Sequence, residues 1–164
     1  MRILGLDPGM SGGAAIYAPL ASKESGLRWQ VTDIPTVGEK TARRVNAPEF
    51  RDFVSRFDPQ FAFIELATVM PKQGIASSGR YMRAVGALEA IVGALNIPIT
   101  FVTPQTWKKF HRLKGSDKEQ SRALAVQKFP EAAALLARRL DHGRAEAMLI
   151  AAYGAATLSW RMKQ

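Results

Sequence analysis

The chain has 164 residues, with 23 Lys or Arg against 14 Asp or Glu for a formal net charge of +9, two His and no Cys. The missing cysteines exclude disulfides, thiolate zinc sites and cysteine nucleophiles together, so the acids must carry the chemistry. A positive excess in so short a chain points to a polyanionic partner, nucleic acid ahead of an anionic membrane surface.

The length suits one domain over residues 1–164, and a 47% hydrophobic content is enough for a packed core and too high for a disordered chain. No apolar run approaches the roughly 20 residues of a membrane span. The N-terminus enters a strand pattern at once, with no room for a signal peptide. The expectation is a cytoplasmic protein without a targeting segment or membrane association.

Arg2-Ile3-Leu4-Gly5-Leu6 reads as a short apolar strand ending in Asp7-Pro8-Gly9, where Pro then Gly suits a type II turn. A second strand covers Gly12 to Ala18, residues 21–26 form a turn, and Leu27 to Ile34 alternates as a half-exposed strand does. Short links make these three an antiparallel meander. Val37 to Val45 is a basic polar loop carrying Lys40, Arg43 and Arg44. Pro48 sits in the first turn of a helix with Phe50, Phe53, Val54 and Phe57 at helical spacing, and Asp58-Pro59 ends it. Phe61 to Leu66 is a buried strand and Met70 to Gly74 a loop. A helix from about Ser78 to Leu95, a strand from Ile97 to Val102 and a short helix opened by Thr103-Pro104 follow. The basic stretch Lys108 to Lys118 leads to a third helix, and the last helix runs from about Gly143 to Met162. A three-strand meander followed by strand–helix alternation is the order of the ribonuclease H-like fold: α/β, a mixed five-stranded sheet with helices on both faces.

Three features carry the candidate chemistry. Asp7 closes a strand before the glycine-rich turn Gly9, Gly12, Gly13, where small residues let a phosphate approach; an Asp before Pro-Gly is equally a turn former. Glu65 is the one acid in an apolar strand. A buried carboxylate is costly unless paired, so it needs a cation, a cleft or a structural salt bridge. Asp141-His142-Gly143-Arg144-Ala145-Glu146 opens a helix that is apolar almost all round, hence buried. Glu146 shares a stripe with Ile150 and Tyr153. With Gly143 as N-cap it is also a capping-box acid, a role worth about 0.5–2 kcal/mol, and Asp141 is itself an N-cap candidate. Capping accounts for one of these acids, not both. Four carboxylates at one sheet end repel unless divalent cations sit among them, and oxygen-only ligands suit Mg²⁺ or Mn²⁺. Two such ions about 3.5–4 Å apart serve phosphodiester hydrolysis.

With these motifs the sequence resembles the RuvC-like Holliday-junction resolvases of the ribonuclease H-like superfamily. Leu4 to Gly9 matches the first motif and Phe63-Ile64-Glu65 the second. Met70 to Gly74, Ser77-Ser78 and Asp141 to Ala147 look closer to the chloroplast branch and its bacterial and phage relatives. The resemblance implies four metal-binding catalytic acids, Asp7, Glu65, Asp141 and Glu146, holding two Mg²⁺ or Mn²⁺ ions. It also implies a homodimer that nicks a four-way DNA junction symmetrically. Bacterial members usually place the last two acids three apart and end with Asp; here they are five apart and end with Glu. Asp141 therefore ligates directly, or through water, or only caps the helix, in which case His142 is the auxiliary candidate.

For DNA contacts the candidates are Lys72, Gln73, Ser77, Ser78, Arg80, Arg83, Lys108 and Lys118, with Tyr81 or Met70 as a wedge at the crossover. The basic run at 108–118, with His111 inside it, is otherwise a solvated face. Gly79, Gly86 and Gly93 leave one helical face bare for a close neighbour, while Val85, Leu88, Val92 and Leu95 form a stripe that packs on a partner or within the domain. The competing functions are a junction-binding module with a weak site, a ribonuclease H acting on RNA–DNA hybrids, and, from the Asp7-Pro8-Gly9 loop, an actin-like kinase, which needs a second lobe.

Overall fold

The computed structural model describes residues 1–21, 28–66, 74–113 and 118–161, the Lys118 side chain excepted. In chain order it contains β1 (Ile3–Asp7), β2 (Gly13–Tyr17), β3 (Trp29–Asp33), β4 (Thr36–Val37), β5 (Arg44–Val45), α1 (Ala47–Phe57), β6 (Phe61–Glu65), α2 (Ile75–Ala94), β7 (Ile99–Val102), α3 (Pro104–Phe110), α4 (Lys118–Lys128) and α5 (His142–Arg161). Five strands form one sheet in the order β3-β2-β1-β6-β7. The first three are an antiparallel meander, and β6 and β7 run parallel to β1. This is the mixed α/β sheet that the sequence pattern predicts.

Alternation sorts the strand side chains between two cores. Leu4, Leu6, Ala14, Ile16, Ala62 and Ile64 face α1 and α2, against Phe50, Val54, Leu88 and Val92. Ile3, Ala15, Tyr17 and Phe63 face the other way, against α5, Trp107 and Phe129. Both faces are covered, so the strands read as continuous apolar runs. The heptad stripe on α2 divides accordingly: Val85, Leu88 and Val92 are buried within the domain, whereas side chains built on Gly79, Gly86 and Gly93 would meet open space.

Several boundaries differ from the sequence expectation. The basic loop at 37–45 is a two-stranded ribbon of β4 and β5, with a 3₁₀ turn at Lys40–Ala42. Its few polar residues carry no period from which a strand could be read. Helix α2 starts at Ile75 rather than Ser78, the amides of Ser77 and Ser78 both donating to the Gly74 carbonyl. A 3₁₀ helix at Pro130–Leu136 joins α4 to the turn before α5. The expected turn at 21–26 lies almost wholly outside the described residues, as does the loop at 70–74.

α5 crosses β1 and β2 in backbone contact. A Cβ on Gly5 would fall within the van der Waals shell of the Ala147 carbonyl oxygen and the Ala151 amide nitrogen. One on Gly13 would lie 2.6 Å from the Arg144 amide nitrogen, and one on Gly143 2.6 Å from the Ser11 carbonyl oxygen. Gly5→Ala is therefore expected to force α5 off the sheet at a cost of about 3 kcal/mol or more, because backbone atoms cannot rotate away. Gly79→Ala, whose methyl enters open space on a helix, should instead stabilise by about 0.5–1 kcal/mol. Urea unfolding of both variants checks this; a Gly5→Ala midpoint equal to that of the parent would refute the close crossing.

Candidate active site

Asp7 and Glu65 end adjacent parallel strands. The register pairs Leu6 with Ile64, so the next residues lie side by side at the C-terminal ends of β1 and β6. Alternation turns them to the opposite face from Leu6 and Ile64, the face covered by α5. Ligand sites of open parallel sheets lie at this end, where neighbouring connections leave in opposite directions.

Four helices complete the cluster. Glu146, the fifth residue of α5, is 8% exposed and next to Ala147, whose carbonyl bears on Gly5. Its Oε1 accepts a hydrogen bond from the Ser121 hydroxyl of α4 at 3.1 Å and lies 3.6 Å from the Lys108 ammonium of α3. Helix α3 follows β7 directly. Thr103 caps it by accepting from the Thr106 amide, and Pro104 fills its first turn, as the sequence predicts. The fully buried Trp107 donates its indole N–H to Glu65 Oε2 at 2.6 Å, and Lys108 lies 5.2 Å from the Trp107 ring centroid. Burial pushes the Glu65 carboxyl up and the charge of Glu146 adds to the shift; the Trp107 hydrogen bond and Lys108 oppose it without cancelling it. Tyr81 of α2 closes the other side. Its ring would touch a Cβ on Gly9 at 3.4 Å, and its phenol is pushed up to about 12 by burial and by the charges of Asp7 and Glu65. Tyr81 thus packs over the Asp7 loop.

Asp141 takes the capping position, one of the roles its sequence context leaves open. Its side chain is 2% exposed, and arginine occupies both oxygens. Oδ2 accepts the Arg138 amide at 2.7 Å, and Oδ1 accepts the Arg138 Nε at 2.8 Å and a terminal guanidinium nitrogen at 2.6 Å. Burial works to raise this carboxyl, but the Arg138 hydrogen bonds and the charges of Arg144 and Arg138 outweigh it and hold it below the usual range. Arg138 and Arg144 also bind Asp33 at the end of β3, Arg144 in bidentate fashion at 2.7 and 2.9 Å. Asp141 precedes α5 and its carbonyl receives the Ala145 amide, so it occupies the cap position while its side chain locks the turn to β3. Gly143 is not the cap, and Glu146 is not a capping-box acid. His142, the first residue of α5, is half-buried one helical turn before Glu146.

Among the described residues, no three His, Asp or Glu side chains converge closely enough to hold a metal ion between them. The donor set is nonetheless that of a hard cation. Asp7, Glu65 and Glu146 offer only carboxylate oxygen, and the crowding of Glu146 on Glu65 is the repulsion a cation relieves.

The remaining candidates fall on three regions. Arg80, Arg83 and Ser77 are exposed on α2, and Ser78 is half-buried beside them. Lys72, Gln73 and Met70 lie outside the described residues, and so does the Lys118 side chain. His111, read within a basic face, is a core residue 5% exposed. Its Nε2 lies 2.8 Å from the Leu149 carbonyl, and burial pulls its pKa down to about 4. Sequence reasoning missed Asp33, Arg144 and Ser121, whose hydrogen-bond partners are remote in the chain, and Arg138, which joins the nearby Asp141 to the remote Asp33. Trp107 carried one signal: a buried indole N–H requires an acceptor.

No protein-family model and no curated protein matches the chain by sequence. Solved structures do match its fold. Thermus thermophilus RuvC in complex with a Holliday junction substrate aligns with a TM-score of 0.62 at 17% identity, covering 92% of this chain and 90% of that one. The fowlpox virus resolvase in complex with its Holliday junction substrate gives 0.54 at 15% identity over 96% and 99%. Ydc2, the yeast mitochondrial Holliday junction resolvase, gives 0.51 at 13% identity over 92% and 77%. The chain has the ribonuclease H-like fold of the RuvC-type resolvases.

Proposed function

We propose that the protein is a metal-dependent DNA endonuclease that resolves four-way junctions. The observation carrying this reading is that Asp7 and Glu65 end adjacent parallel strands, with the charge of Glu146 acting on Glu65 and Lys108 beside it, in a fold shared with junction-bound resolvases. Asp7, Glu65 and Glu146 are the residues that would hold Mg²⁺ or Mn²⁺, two ions per site, with His142 rather than Asp141 as the auxiliary donor. When bound, such ions stabilise the charge that builds on a phosphodiester attacked by water. Trp107 and Ser121 orient two of the carboxylates. Lys108 supplies positive charge beside them, and the Tyr81 phenol, protonated at any working pH, can donate to a phosphate oxygen. Among the described residues one chain carries one such site, so symmetric nicks in two strands require two copies, a homodimer.

Asp7→Asn, Glu65→Gln and Glu146→Gln are each expected to lower junction nicking by at least about 10²-fold, with junction binding retained. Asp141→Asn should lose stability while keeping most of its nicking, since its carboxylate serves the turn before α5. End-labelled junctions with both strands mapped provide the check. Paired symmetric nicks support resolution, scattered single nicks refute it, and binding without any nicking would leave a junction-binding module. Preference for an RNA–DNA hybrid over a junction would make the protein a ribonuclease H.

Trp107→Phe removes the hydrogen bond that favours ionised Glu65. The acid limb of the pH–rate profile should therefore move to higher pH, with the rate recovering as pH rises. At neutral pH the folded state should lose about 1.5–3 kcal/mol, and this loss should shrink in acid as Glu65 protonates. A profile that falls uniformly without shifting would assign Trp107 to packing alone.

A further inference from the structure

The β4–β5 ribbon has no part in the carboxylate site, yet it stands beside it. A groove of about 320 Å³ lies between the ribbon and α2, lined by Lys40, Arg43, Arg80, Ser77, Met10 and Tyr81, the residue that also covers the Asp7 loop. A second compartment of about 130 Å³ shares Met10, Arg43 and Arg80 and continues between Arg44 and Arg83. No carboxylate lines either compartment, and none of these five cations forms an ion pair among the described residues. Like charges lining two adjoining compartments favour an anion between them.

The ribbon is held in place for this. Arg43 donates from Nε to the Thr36 hydroxyl at 3.0 Å and from a terminal nitrogen to the Met10 carbonyl at 3.2 Å, tying the ribbon to the β1–β2 turn. Arg83 of α2 donates to the Arg43 carbonyl at 3.3 Å. Lys40, at the tip, takes a left-handed backbone conformation with φ 46°.

We propose that the ribbon and the N-terminal half of α2 form a two-sided clamp on the sugar–phosphate backbone of the strand running away from the carboxylates. Lys40 and Arg44 grip from the ribbon, Arg80 and Arg83 from the helix, and Arg43 serves as the pivot between them. The inference rests on the nucleic-acid reading above and adds the elements that hold the strand. Two compartments in series fit successive phosphates rather than one free anion. Ammonium and guanidinium groups over an apolar floor of Met10, Val45, Ala84 and Ala87 bind phosphate without reading bases, so the grip is independent of sequence.

The test measures affinity for fluorescent four-way junction and linear duplex DNA against salt, using the full chain. The double variant Lys40→Asn, Arg80→Gln removes two charges; Asn tolerates the left-handed backbone and Gln the helix. Its slope of log K against log salt should fall by about two, with affinity at ~0.1 M salt at least about tenfold lower on both DNAs. Lys40→Arg, Arg80→Lys should keep the parent slope. An unchanged slope in the charge-removing variant overturns the clamp; if the parent still nicks junctions, the nuclease reading survives that result. A slope lowered as much by the charge-conserving pair overturns it too, because the loss would then be of shape rather than charge. If the parent binds but never nicks, a lowered slope retains the clamp and removes the nuclease.

Discussion

The contact on which the site depends is the crossing of α5 over β1 and β2 without intervening side chains. Gly5 and Gly13 on the strands and Gly143 on the helix permit it, and each would place a Cβ into facing backbone. The consequence is positional. Glu146 lies one residue before Ala147, which bears on Gly5, and Gly5 lies two before Asp7. A helix held at ordinary side-chain distance would set its carboxylate several ångströms further from the strand ends. The apolar length of α5, buried from Ala145 to Ala151, then holds this crossing against the charge repulsion at its tip.

That repulsion is managed locally. Burial and Glu146 together disfavour the ionised form of Glu65, and the fold answers with the Trp107 N–H and the Lys108 ammonium from a single turn of α3. Tyr81 feels the same field from the opposite side. The site is thus a concentration of negative charge bordered by positive charge, with the ribbon and α2 extending the positive border outward. A molecule of net charge +9 that buries part of its negative charge presents a more basic outer surface than its composition states.

The arginine lock at the start of α5 has a separate role. Asp33, Arg138, Arg144 and Asp141 join the edge of the meander to the turn before the helix. Buried Asp141 is satisfied by hydrogen bonds from three donor atoms and stays ionised, so the turn cannot slide without exposing an unpaired charge.

Local periodicity determined much of this protein. The meander, the two parallel strands, the Thr103-Pro104 helix start and the buried last helix all follow from short-range patterns that hold in any context. So does the location of Asp7 at a strand end, because a polar residue closing an apolar run marks the end of a strand; Glu65, read inside a strand reaching Leu66, closes it only in the fold. What remained undecided were choices between partners distant in the chain. Asp141 and Glu146 sit in one hexapeptide and read alike. Only packing against β3, α3 and α4 gives Arg138 to the first and Ser121 and Lys108 to the second. The ribbon at 36–45 escaped notice because two-residue strands have no period to detect, and its basic residues acquire a common direction only when α2 is folded beside them. Sequence determined which residues carry charge and where strands end; tertiary structure decided which charges meet, since that depends on the burial and long-range contacts that local patterns do not encode.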